Sequence, residues 1–323
     1  MTRLVVGLGE AMLRLSAPGH ERLEQADELH VEVGGAELNA LIAATAWGAR
    51  GRWLTRLADN PLGRRAAAHA RAHDVEATVR WDADARAALY FVEHGAAPRA
   101  TQVLYDRGDS AMSRLEADGF DWELELEDAG AVLTSGITLG IGSGAAEAAG
   151  ALLAAARTRG VRTFFDVNHR SRQWTWEQAV PVLRGVLGDV DVLLAGPHDL
   201  ARLLDEQDAP VMLARRAIAE FGHDVVVVRE NVHTGERVAV TVTAVTAGEV
   251  LTAQSHSARI VDGFGGGDAA LGALVARLLA GDSLGVAADH AARACAVQHT
   301  ITGDAWIGRP EELALDTERS IVR

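Results

Sequence analysis

Short runs of apolar residues, many of them β-branched, alternate along this chain with segments of helical composition, and no other feature restricts the fold as strongly. Leu4-Val5-Val6-Gly7-Leu8-Gly9-Glu10 reads as a buried strand ending in a glycine-marked loop. Residues 35–48 read as helix, 51–57 as a short strand, 61–73 as helix and 75–81 as extended. Ala131-Val132-Leu133 leads to an alanine-rich helix over 145–159 and then to a strand over 161–167. The short apolar runs 190–194 and 224–228 each follow a helical segment. Strands apolar on both sides must be covered on both faces, and parallel pairing needs crossovers long enough to hold a helix. The expected architecture is α/β, a three-layer α/β/α core around a mainly parallel sheet.

Two regions break the alternation. Residues 11–33 and 87–107 carry short polar–apolar alternations (Leu13, Leu15; Leu89, Phe91; Val103, Tyr105) separated by turn residues. They predict antiparallel strands with one dry face, assembled into a small β-sheet lid inserted in a core of residues 1–10, 34–86 and 108–323. Residues 237–245 and 250–257 read as a hairpin over Ala247-Gly248.

Charge and residue usage exclude several functions. Acids outnumber bases 45 to 31, for a net charge of −14, which argues against nucleic acid or an anionic membrane as partner. Every base is Arg, so no lysine is present for a Schiff base or a Walker-type phosphate loop. Cys295 stands alone and reads as a buried, inert thiol. The longest uncharged stretch, 129–146, holds five glycines and is no membrane span. The N-terminal residues lack the apolar core of a signal peptide, so a cytoplasmic protein is expected.

The sharpest chemical signal is Asp262-Gly263-Phe264-Gly265-Gly266-Gly267-Asp268, running into a strong helix former over 271–280. Glycines admit close approach of a ligand, and the helix N-terminus behind them offers unpaired N–H groups to an anion. Asp268 is either a helix-stabilising acid or the carboxylate that orients a hydroxyl toward a phosphoryl group. A competing motif, Gly140-Ile141-Gly142-Ser143-Gly144-Ala145 with Asp166 26 residues beyond Gly140, resembles a dinucleotide fingerprint and would make the chain an NAD-dependent oxidoreductase. The segment Asp166-Val167-Asn168-His169-Arg170 delivers polar groups to the carboxyl edge of the sheet, and Arg107 joins it from the lid-like region. Two converging arginines suit a substrate carboxylate. His69 and His73 have metal-ligand spacing but sit in a polar segment and read as a solvated helix face. No metal site made by protein groups alone is expected.

Taken in order, these segments resemble the ribokinase-like (PfkB) carbohydrate kinases, and within them the 2-keto-3-deoxygluconate kinases. Gly34-Gly35-Ala36-Glu37-Leu38-Asn39 is similar to that family's N-terminal glycine motif, and Asp59-Asn60-Pro61-Leu62-Gly63, with one residue more between Asp and Gly, to its D-x-x-G segment. Asp262 to Asp268 resembles its C-terminal signature, with Gly263 and Gly266 in place of the usual Thr and Ala. Leu89-Tyr90-Phe91, Tyr105-Asp106-Arg107, Asp166 to Arg170 and Gln298 to Asp304 resemble the subgroup.

The resemblance implies a ribokinase-like fold and transfer of phosphoryl from ATP, with Mg2+, to the terminal hydroxyl of 2-keto-3-deoxygluconate or the galactonate. It implies Asp268 as catalytic base and Gly265, Gly266 and Gly267 as the anion hole. It carries Gly34, Gly35, Asn39, Tyr90, Tyr105, Arg107, Asn168 and Arg170 to substrate positions. Asp262, Gly263, Gly265, Gly267, Ala291 and Ala292 fall at nucleotide positions. A homo-oligomer is also expected. Two departures concern metal and nucleotide. The family's N-x-x-E motif lacks its Asn near Leu194 to Asp199, and the glycine-bearing loop expected after Val228 reads Arg229-Glu230-Asn231. A kinase for a neutral sugar such as fructose or ribose is the alternative; it would share Asp268 but have no use for paired arginines.

Overall fold

The computed structural model describes residues 3–314; the outermost residues of the expected core, 1–2 and 315–323, lie outside them. In chain order the strands are β1 (Leu4–Leu8), β2 (Met12–Ser16), β3 (His30–Gly34), β4 (Arg50–Ala58), β5 (Val75–Asp82), β6 (Leu89–Glu93) and β7 (Gln102–Asp106). They continue with β8 (Ala129–Ser135), β9 (Arg162–Asp166), β10 (Val192–Ala195), β11 (Val225–Thr234), β12 (Arg237–Val245), β13 (Val250–Thr252) and β14 (His256–Arg259). The helices are α1 (Ala36–Ala46), α2 (Pro61–Ala72), α3 (Trp122–Glu125), α4 (Gly136–Leu139) and α5 (Ser143–Thr158). After them come α6 (Trp176–Leu187), α7 (Pro197–Leu204), α8 (Pro210–Phe221), α9 (Gly266–Ala280) and α10 (Leu284–Gln298).

The large sheet runs β13-β12-β11-β10-β9-β8-β1-β4-β5, with β14 also on β12. Every pairing from β11 to β5 is parallel. Neighbouring residues of a strand point to opposite faces, and the core divides accordingly. Val5, Leu133, Phe164, Leu194 and Val227 pack with α1, α2, α9 and α10. Val6, Val132, Phe165, Leu193 and Val226 pack with α5 to α8 on the other side. Both faces are thus dry, which is why these strands read as unbroken apolar runs.

The second sheet, β3-β2-β6-β7, holds four strands. Its outer pairs are antiparallel, as expected, but the central β2–β6 pair is parallel. The two strands enter it from separate excursions of the chain, so no hairpin dictates their direction. The greatest departure from the sequence reading is β11. It was expected to end at Val228 in a loop; instead it continues to Thr234 and pairs with β12 from Val226 to Thr234. The segment predicted as the second hairpin strand splits into β13 and β14, which pair with opposite ends of β12. His69, expected on a solvated face, is half-buried edge-on to His73, and burial lowers its pKa to about 4. No helix among the described residues is long and apolar enough to cross a membrane.

Helices α1 and α9 pack closely because Gly272 carries no side chain. A Cβ there would lie 2.5 Å from that of Ala43 and collide with the Ala40 carbonyl. Gly272→Val should cost about 1–3 kcal/mol of stability. An unchanged urea midpoint would show that the helices can part without penalty.

Candidate functional site

A cleft of about 370 Å³ opens between the two sheets, at the carboxyl ends of the parallel strands. Ligands bind at this edge in open α/β folds because the chain leaves each strand here in a loop free to carry polar groups. Glu10 follows β1, Asn168 to Arg170 follow β9, and Asp199 sits in the first turn of α7 after β10. The small sheet contributes Met12, Tyr90 and Tyr105, and Arg107 follows its last strand. The floor is the segment Gly263 to Asp268 at the start of α9.

That start is set by glycine. Gly265 caps α9 in the left-handed region at φ +73°, and a Cβ on it would run into the Asp304 carbonyl. A Cβ on Gly266 would stand 2.9 Å from His299 Nε2 and 3.2 Å from Cys295 Sγ. One on Gly267 would stand 3.0 Å from the Arg229 guanidinium. The first amides of a fifteen-residue helix therefore face the cleft without side chains between, where their partial positive charge favours an anion. Cys295 lies fully buried behind them, its thiol pushed up by burial.

Asp268 stands beside this turn and accepts a hydrogen bond from Asn39 Nδ2 at 2.8 Å. Burial raises its pKa to about 7, with Asn39 and Arg170 opposing the shift and Asp166 and Asp304 reinforcing it. Enclosed below and open to the cleft above, it can take a proton from a bound hydroxyl near neutral pH. Asp166, at the end of β9, is raised by burial to about 6, with Arg229 opposing and Asp199 adding to the shift.

Three guanidinium groups line the same cleft. Arg170 is exposed in the cleft, and its side chain forms no hydrogen bond or ion pair with another protein group among the described residues. Arg107 is held in place, donating to Glu10 Oε2 at 2.6 Å and to Gln173 Oε1 at 3.1 Å. Arg229 lies against Gly267 and touches Cys295 Sγ at 4.0 Å. Sequence reasoning missed Arg229, Glu10, Asn231, His299 and Asp304 as cleft residues. For Arg229 and Glu10 the signal was available: each is a charged residue that closes an apolar run of the sequence, at the edge that carries the site.

Of the residues singled out from sequence, Gly34, Gly35, Asn39, Tyr90, Tyr105, Arg107, Asn168, Arg170, Gly263, Gly265, Gly266, Gly267 and Asp268 share this cleft. Three expected nucleotide contacts do not reach it. Ala291 and Ala292 lie on α10 and are wholly buried in the core, and Asp262 turns away to pair with Arg14. The glycines of the competing dinucleotide motif have packing roles. A Cβ on Gly144 would strike the Leu115 carbonyl, and one on Gly140 would stand 2.7 Å from Gln173 Nε2. Among the described residues no cluster of three or more His, Cys, Asp or Glu could hold a metal ion.

A carboxyl whose pKa is higher in the folded than in the unfolded chain withdraws stability as pH rises, here from 3.8 to about 7. Asp268→Asn should therefore gain urea resistance relative to the parent between pH 4 and pH 8. A difference independent of pH would show that burial does not hold this acid protonated.

Residues 2–306 match the family described as pfkB family carbohydrate kinase. The 2-dehydro-3-deoxygalactonokinase of Haloferax volcanii is 38% identical over 314 residues, covering 97% of this chain and 96% of that one. The crystal structure of the 2-dehydro-3-deoxygluconokinase of Thermotoga maritima superposes with a TM-score of 0.93 at 32% identity, covering 97% and 98% of the two chains. An Escherichia coli protein assigned as a ribokinase II, solved with ATP and Mg2+, shares the fold at a TM-score of 0.83 and 20% identity, covering 97% and 98%. These likenesses set aside the oxidoreductase reading of Gly140 to Ala145. The chain belongs to the PfkB family of carbohydrate kinases.

Proposed function

We propose that the chain transfers the terminal phosphoryl group of ATP to the terminal hydroxyl of a 2-keto-3-deoxy sugar acid, the gluconate or its galactonate epimer. One observation carries this reading: a cleft with a glycine-lined helix N-terminus and a neighbouring carboxylate also holds Arg170, an exposed guanidinium with no hydrogen bond or ion pair to another group among the described residues. A neutral sugar has no anionic group to pair with it. A carboxylate does, and a planar fork binds a carboxylate bidentately. The names of the two similar kinases support the same substrate class.

In this reading Arg170 and Arg107 hold the acid end of the substrate, while Tyr90, Tyr105, Gly34 and Asn168 line its chain. Asp268 accepts a hydrogen bond from the terminal hydroxyl and aims its oxygen. An O–P bond forms to that oxygen as the bond between the γ-phosphorus and the bridging oxygen breaks. The proton passes to Asp268 late, since an alcohol is a far weaker acid than a carboxyl group. The amides of Gly265 to Gly267 and the Arg229 guanidinium stabilise charge on the moving phosphoryl oxygens. Asp199 and Asn231, whose Oδ1 is buried without a partner, offer oxygen ligands suited to a hard cation. They would hold Mg2+ against the phosphates, where it neutralises charge.

The small sheet would act as a lid that excludes water. The outer edges of its strands β3 and β7 pair with no other strand among the described residues, which favours a homo-oligomer joined there. A cytoplasmic setting fits the use of ATP.

Turnover of 2-keto-3-deoxygluconate, its galactonate epimer, fructose and ribose with ATP and Mg2+ tests the assignment. Preference for a neutral sugar would reject it. Arg170→Ala should raise KM for the sugar acid at least about tenfold and KM for ATP less than about threefold. Equal effects on both would make Arg170 a structural residue. With Asp268 as base, kcat/KM should climb with pH and level off above about 7. A rate flat from pH 5 to 8 would remove it from that role.

A further inference from the structure

The small sheet carries a charged residue where a sheet facing a core normally carries an apolar one. Arg14 lies at the centre of β2, in register with Glu32 on β3 and Tyr90 on β6, and is fully buried. Its guanidinium donates to Asp304 Oδ1 at 2.7 Å, Asp262 Oδ2 at 2.8 Å and Ser16 Oγ at 2.8 Å. Glu32 stands 3.5 Å away, and the Phe264 ring lies beneath at 4.4 Å. One cation thus serves two buried carboxylates from distant parts of the chain. Such a group is costly to bury and must be held by its partners, as they are by it.

Those partners belong to the two segments that meet at the anion hole. Asp262 opens the glycine-rich turn, and the Asp304 carbonyl fills the space beside Gly265 that a side chain would need. The segments are also tied together by the Gly303 N–H, which donates to Asp262 Oδ2 at 3.0 Å. Tyr90 of the small sheet donates its hydroxyl to Asp304 Oδ2 at 2.5 Å. Arg14 itself does not line the cleft, so it can touch neither reactant.

We propose that Arg14 is a positioning residue that locks the small sheet to the two segments enclosing the anion hole, so that the lid and the α9 amides take up their places together. Closing the sheet over a substrate then sets the aim of the amides, and an open sheet leaves them unset. An ordinary buried ion pair would serve stability alone. The difference is measurable.

The inference rests on the kinase reading for its rates but not for its structural readout. Arg14→Ala and Arg14→Lys are compared with the parent for kcat and KM with 2-keto-3-deoxygluconate and its galactonate epimer. Amide hydrogen exchange is followed on the substrate-free proteins. Arg14→Ala should lower kcat about 100-fold, as expected for reacting groups displaced by an ångström or so, with KM within about threefold. Exchange should quicken at residues 262–268 and 302–305 as well as along β2, and not in α5 or β9. Arg14→Lys keeps the charge without the fork and should fall between.

Should Arg14→Ala fail to fold, Arg14→Lys carries the test alone: lower kcat with faster exchange at 262–268 supports the proposal. In whichever variant folds, kcat within about threefold of the parent, or faster exchange confined to the small sheet, overturns it. A parent inactive on both acids but with the predicted exchange pattern in the variants would refute the substrate assignment and leave the coupling standing.

Discussion

The backbone of Gly265 to Gly267 is crowded by the Asp304 carbonyl, His299, Cys295 and Arg229, which leave no room for a side chain at Gly265 and little at Gly266 and Gly267. This crowding fixes where α9 begins and which way its first amides point. Gly265 takes a left-handed conformation that other residues adopt at a penalty, and the helix behind it adds its dipole to the exposed N–H groups. The parallel sheet supplies the rest of the constraint. Because β1, β9, β10 and β11 all run the same way, the residues after β1, β9 and β10 converge on one edge with the middle of β11, and the glycine turn is held against that edge by α1 and α10.

The electrostatics of the cleft follow from the same enclosure. Acids that would ionise freely in water are pushed upward by burial, Asp166 to about 6 and Asp268 to about 7. Guanidinium groups oppose the shift without cancelling it. An acid poised near neutrality beside unpaired amides is a costly arrangement for a folded chain and a useful one for proton transfer. The absence of lysine sharpens the design, since every fixed cation here is a planar fork. Arg107 is braced by Glu10, Arg229 is seated against Gly267, and Arg170 is left open to the cleft.

Much of the layered core was legible from sequence because its strands are apolar on both faces and its helices are separated by clear breaks. The glycine-rich start of α9 was legible for a local reason: clustered glycines leading into a strong helix former mark a backbone that other chain crowds closely. What lay hidden was set by pairing between distant segments. Nothing in Arg229-Glu230-Asn231 announces that β11 continues, since its partner β12 decides it. The parallel β2–β6 pair is likewise a tertiary choice. Arg14 looks like one polar residue in an alternating strand until Asp262 and Asp304, 248 and 290 residues away, close around it. Ala291 and Ala292 show the converse, small residues that the family resemblance puts near a nucleotide but that helix packing buries.

The central claim is that a phosphoryl group passes, at the N-terminus of α9, to a primary hydroxyl at the far end of an acid held by arginines. Proton-coupled phosphorus NMR of the reaction with ATP, Mg2+ and 2-keto-3-deoxygluconate or its epimer reads that claim directly. Phosphorus bonded through oxygen to a CH2 group splits into a triplet, and this account predicts one new triplet growing in step with ADP. A doublet from a secondary ester, or inorganic phosphate alone, would contradict it.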